Sequence, residues 1–159
     1  MSLESFALSE ADNKYMNVAL EAARNAGDRN EVPVGAVVID GGGEVLAVAG
    51  NRTILDSDPT AHAEILALRE ASKKTGNYRL TECSVYTTIE PCVMCAGALV
   101  NARVSSLVFG ALDERFGAVR THFDLCDSEL LNHRMEIKGG VLEEECRSLI
   151  QEFFRARRS

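Results

Sequence analysis

The sequence predicts a three-layer α/β/α sandwich around one mixed five-stranded sheet. Three observations point there. Helical and strand patterns alternate in the order α-β-β-α-β-α-β-β-α. Strands linked through helices favour parallel pairing, with the helices covering the sheet. The first two strands are joined by a glycine-rich turn, which makes that pair an antiparallel hairpin.

Each element has a local reason. Ser9-Glu10-Ala11-Asp12 reads as a capping box. The stripe Tyr15, Met16, Ala19, Ala22, Ala23, Ala26 then has helical spacing, and Gly27 is expected to close the helix. Val34 to Ile39 is a continuous apolar run ending at Asp40-Gly41-Gly42-Gly43, and Val45 to Asn51 resumes as the second strand. Asp58-Pro59-Thr60 is expected to open a second helix carrying Ile65, Leu66, Leu68 and Ala71 and ending near Gly76. Val85 to Thr88 reads as a short strand. Glu90-Pro91 is expected to start a third helix, because proline suits the first helical position, and the helix runs to about Asn101. Ser105 to Ala111 is a further strand. From Leu112 to His133 the pattern is lost, and loops of that length are often functional. Met135 to Lys138 reads as a short strand. Leu142 to about Arg157 reads as a closing helix with Leu142, Leu149, Ile150, Phe153 and Phe154 on its apolar face.

The length of 159 residues suits one domain spanning 1–159, and 46% hydrophobic with 26% charged residues excludes a disordered or fibrous chain. No run of about 18 apolar residues predicts a membrane-spanning helix. The N-terminus lacks a basic segment followed by an apolar stretch, so no secretory signal is expected and the expected location is cytoplasmic. Five cysteines are an odd count for a disulfide scaffold, and clustered cysteines in a reducing compartment more often bind metal. The net charge of −7 argues against a generic nucleic-acid binder. The charge is uneven, however. From Arg147 to Ser159 four arginines (Arg147, Arg155, Arg157, Arg158) stand against Glu152, a tail of +3 on a body of −10. Such a tail reads either as a phosphate-contacting patch or as cations near the carbonyl end of a helix.

The residues that carry chemistry are His62-Ala63-Glu64 and Pro91-Cys92-Val93-Met94-Cys95. Both sit at expected helix starts, at the same end of the sheet. Cys92 and Cys95 are three apart and share a helix face. The partial positive charge of a helix N-terminus favours the thiolate that a metal needs. His62 and Glu64 are two apart, which separates them in mid-helix but lets both reach one site from a helix tip. One imidazole and two thiolates make a three-ligand tetrahedral zinc site with an open position, the arrangement of catalytic rather than structural zinc. Water there is acidified to about neutral pKa, and Glu64 beside it is placed to carry its proton. Alone, His62 reads as a core histidine and Cys92/Cys95 as a redox pair. Together with Glu64 and Pro91 they match the zinc deaminase signature.

The resemblance runs over roughly residues 12 to 158. Glu31-Val32-Pro33-Val34-Gly35-Ala36, Asn51, Asp58 to Glu64, Asn77-Tyr78-Arg79-Leu80, Glu90 to Ala98, Val108-Phe109-Gly110-Ala111, and the end from Asn132-His133-Arg134 through Phe153-Phe154-Arg155 resemble the bacterial tRNA-specific adenosine deaminases. These convert the wobble adenosine to inosine and belong to the cytidine/deoxycytidylate deaminase superfamily. The resemblance implies a cytidine-deaminase-like fold, one zinc ion on His62, Cys92 and Cys95, and Glu64 as proton shuttle. It implies substrate contacts from Asn51, Ala63, Val34 and Asp113, a tRNA anticodon stem-loop as partner, and a homodimer. The chain departs from the family after Asp113, where a lysine and a small Ala-Gly-Ser-like stretch are replaced by Glu114-Arg115-Phe116-Gly117-Ala118-Val119-Arg120-Thr121-His122-Phe123. Arg115, Arg120, His122, His133 and Arg134 are expected to form a local basic rim. Cys83, Cys126 and Cys146 lack ligand spacing and are expected to be small buried hydrophobes. Phe153 and Phe154 are expected to serve packing rather than base stacking. Two alternatives stay open: a zinc deaminase of a free nucleobase or small heterocycle of guanine or cytosine type, and a non-catalytic RNA-binding subunit with structural zinc.

Overall fold

The computed structural model describes residues 9–158. Its helices are α1 (Glu10–Asp28), α2 (Ala63–Thr75), α3 (Val93–Ala102) and α4 (Glu143–Arg157). Its strands are β1 (Gly35–Ile39), β2 (Val45–Gly50), β3 (Ser84–Ile89), β4 (Ser106–Ala111) and β5 (Glu136–Lys138). They form one five-stranded sheet in the order β2-β1-β3-β4-β5. Strand β1 pairs antiparallel with both β2 and β3, whereas β3–β4 and β4–β5 are parallel. The expected mixed sheet and leading hairpin are therefore present.

Every residue of β1 is buried, which explains its unbroken apolar run: a strand covered on both faces has no solvent side to alternate with. Ala36 and Val38 pack with α2 and α3, through Ala63, Ala67, Leu68, Ala96 and Leu99. Val37 and Ile39 point the other way, against Tyr15, Met16, Ala19 and Leu20 of α1 and Cys146 of α4. The two cores define the three layers. Helices α2 and α3 form the front layer, and α1 and α4 form the rear one.

Several boundaries differ from expectation for identifiable reasons. Ser9 and Asp12 do form the capping box of α1. That helix passes through Gly27 to Asp28, and the chain turns away only at Asn30, which takes the left-handed conformation. Asp58-Pro59-Thr60 does not open α2. The Asp58 carboxylate accepts the backbone N–H and hydroxyl of Thr60, closing a separate turn, and α2 begins at Ala63 with His62 as its extended N-cap. Gly76 ends α2 in the left-handed conformation, as expected. Helix α3 begins at Val93 rather than at Glu90-Pro91, with Cys92 as N-cap; the Glu90 N–H is still bonded to the Ala111 carbonyl. On α4 only Cys146 is fully buried. Leu142 precedes the helix in the left-handed conformation, Leu149, Ile150 and Phe153 are half-buried, and Phe154 is exposed. Phe153 takes part in a stack of its own, lying under the Arg157 guanidinium at 3.4 Å, while Arg157 also donates to the Asn30 side chain.

The region from 112 to 133, patternless in sequence, is held by backbone and side-chain hydrogen bonds and contains one 3₁₀ turn at Leu125–Asp127. Among the described residues no helix is long and apolar enough to cross a membrane.

Candidate metal centre and active site

Strands β2 and β3 are both antiparallel to β1, so they run in the same direction and deliver α2 and α3 to one end of the sheet. The first ligand candidate on each helix is its N-cap residue, His62 on α2 and Cys92 on α3, and Cys95 follows one turn later. The ligand atoms of His62, Cys92 and Cys95 all lie within 4.8 Å of one another. His62 Nδ1 is 3.6 Å from Cys92 Sγ and 3.4 Å from Cys95 Sγ. Zn–S and Zn–N bonds of about 2.3 and 2.0–2.1 Å at a tetrahedral centre place sulfur and nitrogen about 3.6 Å apart. The triangle therefore has the size of a zinc site.

Its electrostatics fit a cation as well. The Cys95 thiol donates to Cys92 and, against the cost of burial, His62 and the helix backbone add to it, so the Cys92 thiol falls to about 4. Cys95, facing that thiolate and fully buried, is pushed strongly up. Hydrogen bonding to Cys92 outweighs burial at His62 and raises it. Two sulfurs and an imidazole thus share protons where a divalent cation would displace them.

Glu64, in the first turn of α2, is buried beside this cluster. Burial dominates and pushes its carboxyl up to about 7, only partly offset by its own backbone N–H and by His62. Such a group exchanges a proton readily at neutral pH.

Asn51, Val34 and Ala63 are brought together next to His62. The Asn51 N–H donates to the Val34 carbonyl at 3.2 Å, and Asn51 Oδ1 accepts the Ala63 N–H at 2.8 Å. That second bond fixes the amide's orientation and leaves Nδ2 as a donor. Asp113 is placed differently. It lies on the segment after β4, and its carboxylate accepts the N–H groups of Arg115 and Phe116 in its own turn. Three residues of the expected basic rim have partners of their own. His133 Nε2 lies 2.7 Å from the Val104 carbonyl oxygen, Arg134 pairs with Asp127 at 2.7 Å, and Arg120 reaches Ile137. Cys83, Cys126 and Cys146 are buried, and burial pushes the thiols of Cys126 and Cys146 up to about 12.

Two buried glutamates have a structural role that their sequence context does not show. Glu31 accepts the Thr53 hydroxyl and the N–H groups of Ile54 and Leu55, anchoring the chain between Asn51 and His62. Glu90 accepts five bonds from residues 113–121. The signal was weak: Glu90 directly precedes Pro91 and Glu31 stands two residues before Pro33, and only their burial shows that each must be bonded.

The sheet order and the His/Cys/Cys cluster with its buried glutamate define a deaminase. The MafB19-like deaminase model matches residues 10–158. The chain is 47% identical over 150 residues to a tRNA-specific adenosine deaminase of Haemophilus influenzae, covering 94% of this chain and 87% of that protein. A solved structure from work on A-to-I editing by tRNA:A34 deaminases matches with a TM-score of 0.83 at 40% identity, covering 86% of this chain and 98% of that one. A guanine deaminase from Nitrosomonas europaea matches with a TM-score of 0.74 at 28% identity, covering 89% and 83%. The chain belongs to the tRNA-specific adenosine deaminase family.

Proposed function

We propose that this chain, acting as one domain, hydrolyses the wobble adenosine of a tRNA anticodon loop to inosine, releasing ammonia. His62 Nδ1 and the sulfurs of Cys92 and Cys95 hold one zinc ion in this reading. Zinc bound there supplies a Lewis acid that lowers the pKa of water from 15.7 to about 7. Glu64 takes one proton from the attacking water and gives it to the ring nitrogen, then takes the second proton from the hydroxyl now on C6 and gives it to the amino group, which leaves as ammonia while C6 becomes a carbonyl. Asn51 Nδ2 donates to an acceptor on the target nucleoside, Val34 and Ala63 line the base pocket, and Asp113 lies on the loop beside the flipped nucleotide. An unpaired loop suits the chemistry, since its bases need little unstacking. The chain works as a homodimer in the cytoplasm.

The observation that carries the hydrolytic reading is the burial of Glu64, two residues after His62, beside the three-ligand cluster. Relatedness to tRNA-specific adenosine deaminases over most of the chain supports RNA as substrate. The test is inosine formation in an anticodon stem-loop with adenosine at the wobble position, using zinc-loaded protein and a Glu64→Ala control. Inosine that disappears in the control supports the reading. The likeness to a guanine deaminase favours a second reading, deamination of a free purine. Ammonia released from free guanine or adenine, with no inosine in the stem-loop, would establish that one instead.

A further inference from the structure

Glu90 sits at the junction between the metal ligands and the segment that departs from the family's pattern. Its side chain is 1% exposed. One carboxylate oxygen accepts the Asp113 N–H at 3.0 Å and the Thr121 hydroxyl. The other accepts the N–H groups of Val119, Arg120 and Thr121 at 3.1, 2.7 and 2.9 Å. All five donors belong to residues 113–121. Next along the chain, the Pro91 carbonyl accepts the Ala118 N–H at 2.9 Å. The segment therefore wraps around one carboxylate, and that carboxylate lies two residues before Cys92. Gly117 is the position that permits the wrap: a Cβ there would lie 2.2 Å from the Glu90 carboxylate and 2.6 Å from the Asp113 carbonyl.

The outward side of the same segment is unlike its inward side. Gly117, Ala118 and Val119 are buried, whereas Arg115, Phe116 and Arg120 face solvent. Phe116 is 63% exposed, and the Arg115 guanidinium lies 5.7 Å from its ring centre. The Asp113 carboxylate fixes the backbone of both. An aromatic ring and a cation, exposed on a backbone tied down at both ends, match what an unpaired nucleotide offers: a flat base and a phosphate.

We propose that Glu90 is a positioning residue. It holds residues 113–121 against Pro91 so that Phe116 and Arg115 receive an unpaired nucleotide beside the target base. This rests on the tRNA reading above. The role belongs to binding, not to bond breaking, because no atom of Glu90 is left to meet the substrate.

The test uses the zinc-loaded full chain with Gly117→Ala, Thr121→Val and Phe116→Ala, none of which alters Glu90 or a metal ligand. Zinc content, kcat and KM on the stem-loop, Kd for the same RNA, and trypsin cleavage after Arg115 or Arg120 are measured. Gly117→Ala is expected to raise KM and Kd about tenfold, to leave kcat per bound zinc within about threefold, and to open the segment to trypsin. Phe116→Ala is expected to raise KM and Kd about tenfold without new cleavage, the loss of one stacking contact. Thr121→Val, which removes a single donor, should shift both constants in the same direction by less. A fall in thermal midpoint with unchanged KM and Kd would make Glu90 a structural staple and overturn the inference. Loss of dimer with unchanged Kd would do the same, reassigning Phe116 to a subunit contact. Wild-type protein that forms inosine while all three variants match it refutes this inference alone. Wild-type protein with neither inosine formation nor RNA affinity refutes the functional reading and this inference with it.

Discussion

The front and rear faces of the sheet each bury a carboxylate to the same 3% exposure, and the two are treated in opposite ways. On the rear face, Asp12 of α1 accepts the Tyr86 hydroxyl at 2.6 Å, the Lys138 ammonium at 3.0 Å and the Ser9 N–H at 3.3 Å. Burial opposes its charge, but these donors outweigh burial and hold it below the usual carboxylate range. On the front face, Glu64 has too few donors to offset burial, and its carboxyl rises to about 7. Equal exposure does not decide the outcome: Glu64 lies deeper in the protein and meets a larger burial cost with fewer donors, whereas Asp12 meets a smaller cost with three. The rear carboxylate is a permanent anion that ties α1 to β3 and β5. The front one is left able to gain and lose a proton, which is what a shuttle requires.

The comparison is broken most completely by removing the cluster that gives the front face its chemistry. His62→Ala should lose zinc and all measurable turnover together, read by metal analysis of the purified protein and by inosine formation. Chelation of the wild type should do the same and be reversed by added zinc. Retained turnover without metal would sink the metal reading. Glu64→Gln cuts more finely. It should retain zinc and fold yet slow turnover by about 10²–10⁴-fold, the usual worth of a positioned proton carrier. Its thermal midpoint should not fall, since a neutral amide avoids the burial cost that raises the carboxyl.

The rear face should respond in stability rather than rate. Asp12→Asn is expected to destabilise the fold by about 2 kcal/mol, because donors that met an anion now meet a weaker acceptor. Turnover per bound zinc should stay unchanged. The pH dependence follows from the sign of the shift. A carboxyl held low when folded contributes its full stability above the unfolded value of about 3.9 and loses it as pH falls through the lower folded value. The stability gap between wild type and Asp12→Asn, measured by denaturant titration, should therefore be constant at neutral pH and shrink on acidification below about pH 4. A gap that widens on acidification would contradict this account of Asp12.

What was legible in sequence follows the same division between local and distant causes. The hairpin and the buried strand could be read because Val34 to Ile39 and the Asp40-Gly41-Gly42-Gly43 turn carry their reasons within a few residues. The cluster could be read because His62-Ala63-Glu64 and Cys92/Cys95 have short, chemically restrictive spacings. The helix starts were read too early at Asp58 and Glu90, since local capping signals there are overruled by the Thr60 turn and by the bond from Glu90 to Ala111. The segment after Asp113 was opaque for a stronger reason. Its order comes from a carboxylate 23 to 31 residues away, and no periodicity within the segment can reveal that. Asp12 shows the same limit: its place in the capping box is local and was read, but its partners Tyr86 and Lys138 lie 74 and 126 residues away.

The smallest test separates these two duties of Asp12. Ser9→Ala removes the hydroxyl that accepts the Asp12 N–H at 3.1 Å, while leaving the Asp12 carboxylate with Tyr86 and Lys138. If the cap only satisfies an exposed helix end, the loss should be about 1 kcal/mol, the usual worth of such a residue. The acid dependence should then keep its wild-type shape, because the groups that hold the Asp12 charge are untouched. A larger loss, accompanied by an acid transition moved to higher pH, would mean that the cap also aims Asp12 at its distant partners. In that case the start of α1 and the rear-face ion pair form one cooperative unit rather than two neighbouring ones. Equilibrium unfolding of Ser9→Ala, Asp12→Asn and the double variant at neutral pH decides between them: additive losses for independent duties, and a double-variant loss short of the sum for a coupled pair.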